Sequence, residues 1–236
     1  MQEKAIMQLK YYLRLSKKQE CRRLTLTGWL IVVVCIVLIC SLIGRNAHSF
    51  LAITKSVSSK ILVVEGHVPD FTLDSVKRLV LQNNDTLIFT TGIPMTQGSY
   101  LCGYSNYADL TAASLYSLGL NTVKIISVPC NPKQRDRTYE SAMALKRQLI
   151  KMKIKGGLLN ILTTDTHARR TKLLFEEALG DSWQIGIISI QSTNYNTEKW
   201  WTSSFGMRAV IYEGLAWFYA RFLFSPDNLD TNANRN

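Results

Sequence analysis

LLNILTTDTHARRTKLLF, residues 158–175, is the stretch whose reading decides the fold. Leu158, Leu159, Ile161 and Leu162 make a short apolar run with the character of a buried strand. A Thr/Asp cluster stops it, and a helical pattern begins at Thr166 with His167, Arg169 and Arg170 in its first turn. A strand that runs straight into a helix is the corner of a βα unit. There Thr164 or Asp165 can cap the helix, while free backbone N–H groups and the helix dipole favour negative charge. Cations normally belong at the other end of a helix. An imidazole and two guanidiniums at its start therefore suggest an anionic ligand that offsets them; the alternative is a capping His167 with both arginines in solvent.

The same pattern recurs on either side. Strand-like runs fall at 61–64, 86–90, 123–128, 158–163 and 185–190, and helical patterns at 71–81, 107–118, 137–151, 166–179 and 203–224. Continuous apolar strands separated by helices imply an α/β fold: a Rossmann-like, doubly wound, mostly parallel five-stranded sheet covered on both faces. Ligands of such sheets bind beyond the carboxyl ends of the strands. That rule picks out Glu65-Gly66-His67, Thr91-Gly92, residues 130–138, and residues 164–170.

Residues 24–44, LTLTGWLIVVVCIVLICSLIG, contain no charge and are long enough to cross a bilayer as one helix. The 23 residues before them hold seven basic side chains against Glu3 and Glu20, which places the N-terminus in the cytoplasm by the positive-inside rule. A cleaved signal peptide is the rival. The apolar stretch exceeds a usual signal core, and its exit, Ile43-Gly44-Arg45-Asn46, lacks a small-x-small site, so an uncleaved anchor is preferred. The expected organisation is a basic segment 1–23, a transmembrane helix 24–44, a polar linker 45–59, a folded domain 60–224 outside the cytoplasm, and a polar tail 225–236.

Of the formal charge of +11, residues 1–23 account for +5 (seven minus two) and residues 45–236 for +6 (21 minus 15). No basic run interleaved with aromatics appears in the folded part, so nucleic acid is not the expected partner. Anionic lipid or a phosphorylated small molecule suits the charge better. Three histidines and no Cys/His spacing of the zinc type give no metal site, and no cofactor is indicated. No G-x-G-x-x-G follows the first strand, which disfavours dinucleotide binding. Cys102 and Cys130 follow strands two and three, so they either pair or remain free thiols.

A phosphate at the sheet edge would meet the helix starts at Thr138 and Thr166, with Arg137 and Arg169 as bidentate partners. His167 is the natural general acid or base, with Asp165 or Glu140 holding its tautomer. Glu140 also suits a capping box with Arg137 or Thr138, His67 a plain loop position beside Pro69, and Asp70 a helix cap. Gly66 and Gly92 suit tight turns, with or without a ligand close by. Arg170, a neighbour of Arg169 and about 100° around the helix, points elsewhere. The final helix is apolar around much of its circumference; it either packs on the sheet or rests an aromatic face on the bilayer.

Four places, in order, resemble the YdcF-like (DUF218) family, which includes membrane-anchored envelope proteins of the SanA and ElyC type. They are ILVVEGH, a second strand ending TTG, RTYESA, and LTTDTHARR; Trp200-Trp201 and Glu213 also sit where the family tends to carry a Trp and a helical Glu. The likeness covers residues 60–221. Glu65-Gly66-His67 departs from the family's usual double glycine, and Ser141 stands where Asn is common. The resemblance implies a Rossmann-like fold and a role at the bacterial inner membrane, in envelope integrity or in metabolism of a polyprenyl lipid carrier. Two functions are therefore expected from different classes: a phosphate- or diphosphate-directed hydrolase or transferase, or a non-catalytic, membrane-tethered binding or scaffold protein.

Overall fold

The apolar runs form a single parallel sheet of β1 (Ile61–Glu65), β2 (Leu87–Gly92), β3 (Ile125–Pro129), β4 (Gly157–Thr164) and β5 (Trp183–Ile190), in the order β3-β2-β1-β4-β5. The structure, a computed structural model, describes residues 24–82, 86–130 and 136–226. The expected segments 1–23 and most of 225–236 lie outside the described residues. Helices are α1 (Leu26–Leu51), α2 (Asp70–Leu81), the one-turn α3 (Ser99–Cys102), α4 (Tyr107–Ser117), α5 (Arg137–Lys151), α6 (Ala168–Leu179) and α7 (Ser204–Phe222). Tight 3-10 turns at Asp165–His167 and Thr197–Thr202 precede α6 and α7.

Strand pairing explains why each strand is apolar on both faces. Val63 lies opposite both Phe89 and Ile161, and these three join Leu145 and Phe175 in one fully buried layer. Alternate residues Leu62, Val64, Ile88 and Leu162 fill the other layer with Leu73, Val76 and Leu115 of α2 and α4. Strand order runs outward from β1 to β3, then returns to the other side of β1 with β4. The carboxyl ends of β1 and β4 thus flank the topological switch point, where a doubly wound sheet opens a crevice.

The chain divides into two compact units, Met1–Leu42 and Ile43–Asn236. Helix α1 is long and apolar enough to cross a membrane. The expected linker is not loose. Helix α1 continues to Leu51, which is 2% exposed and packs with Trp200 and Val210, and the Trp200 Nε1 donates to the Gly44 carbonyl at 2.8 Å. Beyond it, Lys55 forms an antiparallel bridge with Ile187, and the Asn160 side-chain amide both accepts from Val57 N and donates to Val57 O, at 2.8 and 2.7 Å. A Cβ on Gly186 would lie 2.7 Å from Val57 N, so glycine lets this strap cross the sheet. Residues 43–57 belong to the folded body because apolar Leu51 and a sheet edge both gain cover from them.

Asp70 also departs from expectation. Pro69 stands at the cap position of α2 without a side-chain cap bond, and Asp70 is the first helical residue.

Candidate functional site

At the switch point lies a cavity of about 550 Å³, within the usual range for small-molecule sites. Its wall brings together Glu65, Gly66 and His67 after β1, Thr91 and Gly92 at the end of β2, Arg137, Thr138 and Ser141 from the start of α5, residues 163–167 and Arg170, and the inner side of α7. Of the expected residues, Gly66, His67, Gly92, Arg137, Thr138, Thr164, Asp165 and His167 all reach it. Glu140 and Arg169 do not line it.

Its centre is a four-charge cluster. His167 Nδ1 lies 3.0 Å from Glu213 Oε1, and Nε2 lies 3.5 Å from Glu65 Oε2. Arg170 grips Glu213 in a two-pronged pair, Nε to Oε2 at 2.9 Å and Nη2 to Oε1 at 3.2 Å, and donates from Nη1 to Thr138 Oγ1 at 3.2 Å. Burial disfavours the imidazolium, but the Glu65 carboxylate and the Glu213 hydrogen bond outweigh it and raise the His167 pKa to about 9. Burial likewise raises Glu213, yet the His167 and Arg170 bonds take it down to about 2. Glu65 is lowered for the same reason, His167 overcoming burial, with the Thr171 hydroxyl donating to it at 3.2 Å. At neutral pH His167 is therefore an imidazolium between two carboxylates. Arg170 Nη2 is also 3.0 Å from His167 Nδ1, but with the ring protonated both are donors sharing Glu213 Oε1.

The two adjacent arginines exchange the roles expected of them. Arg169 turns away: its guanidinium stacks 3.9 Å over the Phe50 ring and its Nε donates to the Phe50 carbonyl. Arg170 enters the cavity. The cause is helix phase: a 3-10 turn occupies Asp165–His167, and Arg170 stands three residues from His167, so those two share a face while Arg169, two residues away, cannot.

Asp165 was expected to cap the helix or orient His167, and it does neither. Its backbone is left-handed, with φ 51°, and its buried carboxylate accepts from the Tyr195 hydroxyl and pairs with His48 Nε2 at 2.7 Å. Burial and then Asp165 hold the Tyr195 hydroxyl in its neutral form, its pKa pushed upward. Asp165 thus ties the corner carrying His167 to the last turn of α1. Thr164 makes no cap either; its hydroxyl pairs with Thr72 of α2 at 3.1 Å.

Gly66 and Gly92 serve packing. A Cβ on Gly66 would lie 2.3 Å from the Thr91 carbonyl oxygen, and one on Gly92 would lie 2.6 Å from the Ala108 nitrogen, so both glycines admit the start of α4 against the sheet. His67 packs its ring edge-on against Tyr107, 4.7 Å between centroids. Burial, then the Arg137 and His167 charges, push its pKa below the usual imidazole value, so it is neutral at pH 7. Cys102 and Cys130 are free thiols, the first exposed and the second buried against Ser141.

Two further features bear on a ligand. Among the described residues Arg137 makes no ion pair, unlike Arg170, and it stands at the start of α5, where helix N–H groups favour an anion. Thr91 Oγ1 is the one buried side-chain polar atom among the described residues without a hydrogen-bond partner. No group of three or more His, Cys, Asp or Glu side chains among the described residues is arranged to hold a metal ion. As a site residue Glu213 enters the sequence reading only through the family resemblance, being otherwise one of the charges, with Arg208 and Arg221, that argue against a second span, and His48 and Tyr195 carry no site signal there; all three are joined to the corner by contacts over 30 to 117 residues. Comparisons with protein-family models, with curated proteins and with solved structures each find no match.

Proposed function

We propose that this chain is a membrane-anchored protein that binds a phosphate or diphosphate group at the β1/β4 edge and cleaves or transfers it. The observation that carries this reading is one cavity at the sheet edge lined by Arg137, Thr138 and two histidines, His67 and His167, and the surroundings of the two rings push their pKa values in opposite directions. Such a split assigns acid and base. Arg137 and the α5 N-terminus hold the phosphoryl oxygens, and the Thr91 hydroxyl offers a further partner. Neutral His67 accepts a proton from an attacking water as its oxygen bonds to phosphorus. His167 gives its Nε2 proton to the departing oxygen as the P–O bond breaks, while Glu65 and Glu213 remain ionised. The apolar α7 wall suits a ligand with an apolar portion, such as a phosphorylated lipid carrier.

Calorimetry on the full chain in detergent, with inorganic phosphate and diphosphate as probes, tests the binding half. Arg137→Ala is expected to weaken affinity by about tenfold or more, the worth of one charged hydrogen bond, and Arg169→Ala to leave it unchanged. Turnover of a panel of phosphate and diphosphate esters tests the other half, with His167→Gln keeping affinity within about tenfold while losing rate. If the wild-type chain binds neither anion at millimolar concentration, the reading fails; binding without any turnover leaves the non-catalytic alternative.

The seven basic side chains before the span support a cytoplasmic N-terminus at the inner membrane, with the domain on its outer side. A C-terminal reporter active only outside the cytoplasm is the expected result, and a cytoplasmic signal would reverse the orientation.

A further inference from the structure

Helix α7 has more apolar surface than the fold uses. One arc, Gly206, Val210, Glu213 and Ala220, is buried, and Tyr212, Ala216 and Tyr219 continue around to the cavity. The remaining arc is Met207, Ile211, Leu215, Phe218 and Phe222, spaced by four, four, three and four residues and hence one straight stripe. Ile211 is 46% exposed, Leu215 68%, Phe218 52% and Phe222 62%. A helix apolar on every side is normally buried throughout or in contact with lipid. Water alone does not account for this stripe.

We infer that the stripe of α7 lies on the bilayer surface, so that the domain docks on the membrane that anchors it. Two observations select lipid as the occupant. The first is proximity along the folded body: residues 43–51, the continuation of the apolar span, pack on the α7 side. Leu51 meets Val210, Phe50 stands edge-on to Trp217 at 4.9 Å, and Trp200 holds the Gly44 carbonyl. The point where the chain departs for the membrane is thus fixed beside this helix.

The second is charge. Exposed Arg208 and Arg221 lie on α7 itself, with exposed Arg45 and Lys199 close in sequence to the packed segments, and the only acid on α7, Glu213, is buried. Basic side chains flanking an apolar stripe match anionic headgroups above acyl chains. A second copy of the same stripe would bring arginine toward arginine. Exposed Trp201 adds the amphipathic ring typical of the interface.

The inference rests on the anchor reading but is independent of the anion chemistry. Its test uses the full chain in nanodiscs containing anionic phospholipid, with all cysteines replaced except one labelled site at a time: native Cys40, Leu215→Cys, Phe218→Cys, or Ile150→Cys, which is 65% exposed on α5. Nitroxides at 40, 215 and 218 are expected to relax more with oxygen, which concentrates in acyl chains, than with a water-soluble nickel complex; position 150 should do the reverse. Aqueous behaviour at 215 and 218 with lipid behaviour at 40 would overturn docking alone. Aqueous behaviour at 40 would overturn the anchor and docking together, and poor access of both relaxants at 215 would signal a protein partner instead of lipid. Should the cysteine replacements prevent folding, the unmodified chain in nanodiscs with photoactivatable acyl chains gives the same decision, adducts within 207–222 supporting docking and their absence opposing it.

Discussion

Replacing Glu213 by alanine is expected to destabilise the fold by about 3–5 kcal/mol, the usual cost of removing one partner of a buried ion pair. Glu213 is 9% exposed and serves two cations at once, Arg170 through both its carboxylate oxygens and His167 through Oε1. Without it, Glu65 alone faces two neighbouring positive charges. The His167 ring can lower that cost by releasing its proton, but Arg170 cannot. Glu213→Gln keeps the shape and one acceptor, so its loss should be smaller, about 1.5–3 kcal/mol. Chemical denaturation of the full chain in detergent, followed by near-ultraviolet circular dichroism, measures both. A double-mutant cycle with Arg170→Ala should give a coupling energy of about 0.5–3 kcal/mol; additivity, or an alanine variant within 1 kcal/mol of wild type, would show that the cluster holds nothing together.

The five strands and helices α2 and α4 to α7 were legible to within two residues at each end, because buried parallel strands are continuous apolar runs and helices have their own period; α1 runs seven residues past the expected end of the span, and the one-turn α3 gave no periodic signal. Strand order is a different matter. Nothing local in Leu158–Leu162 says that β4 returns to pair with β1, yet that return makes the switch point and brings Glu65 to His167. The choice between Arg169 and Arg170 was within reach, since His167 and Arg170 are three residues apart, but it needed the phase of α6. The 3-10 turn and the left-handed Asp165 set that phase, and both depend on His48 and Tyr195 from elsewhere in the chain. Residues 45–59 read as a linker because they are polar. Their order comes from contacts made by few side chains, Leu51 and the backbone of Lys55 and Val57, which composition does not reveal.

Stability should decline between pH 6.5 and 9 by about 3 kcal/mol, and the decline should belong to His167. Its pKa is about 9 in the folded chain against an ordinary 6.5, so below 6.5 both folded and unfolded states carry the proton and the contribution is complete. Above 6.5 the unfolded chain releases the proton first, and each pH unit then costs about 1.4 kcal/mol until the folded ring titrates too. On the acid side the sign reverses. Glu213, held at about 2, contributes fully above 4.5 and loses its contribution as pH falls toward 2, and His67, lowered in the folded chain, already costs stability as pH falls below 6.5, so the maximum lies near 6.5. His167→Gln should flatten the alkaline limb, and equal slopes in variant and wild type would remove His167 from its cause. On the proposed reaction, the same two histidines would set the shape of a pH–rate profile. His67, lowered by burial and by Arg137, must be neutral to accept a proton, so rate should rise to its plateau below pH 6.5; His167 must be charged to donate, so rate should fall near 9. A profile that rises through 9 would mean that His167 works as a base, which its two carboxylate neighbours oppose, and the acid and base assignments would have to be exchanged.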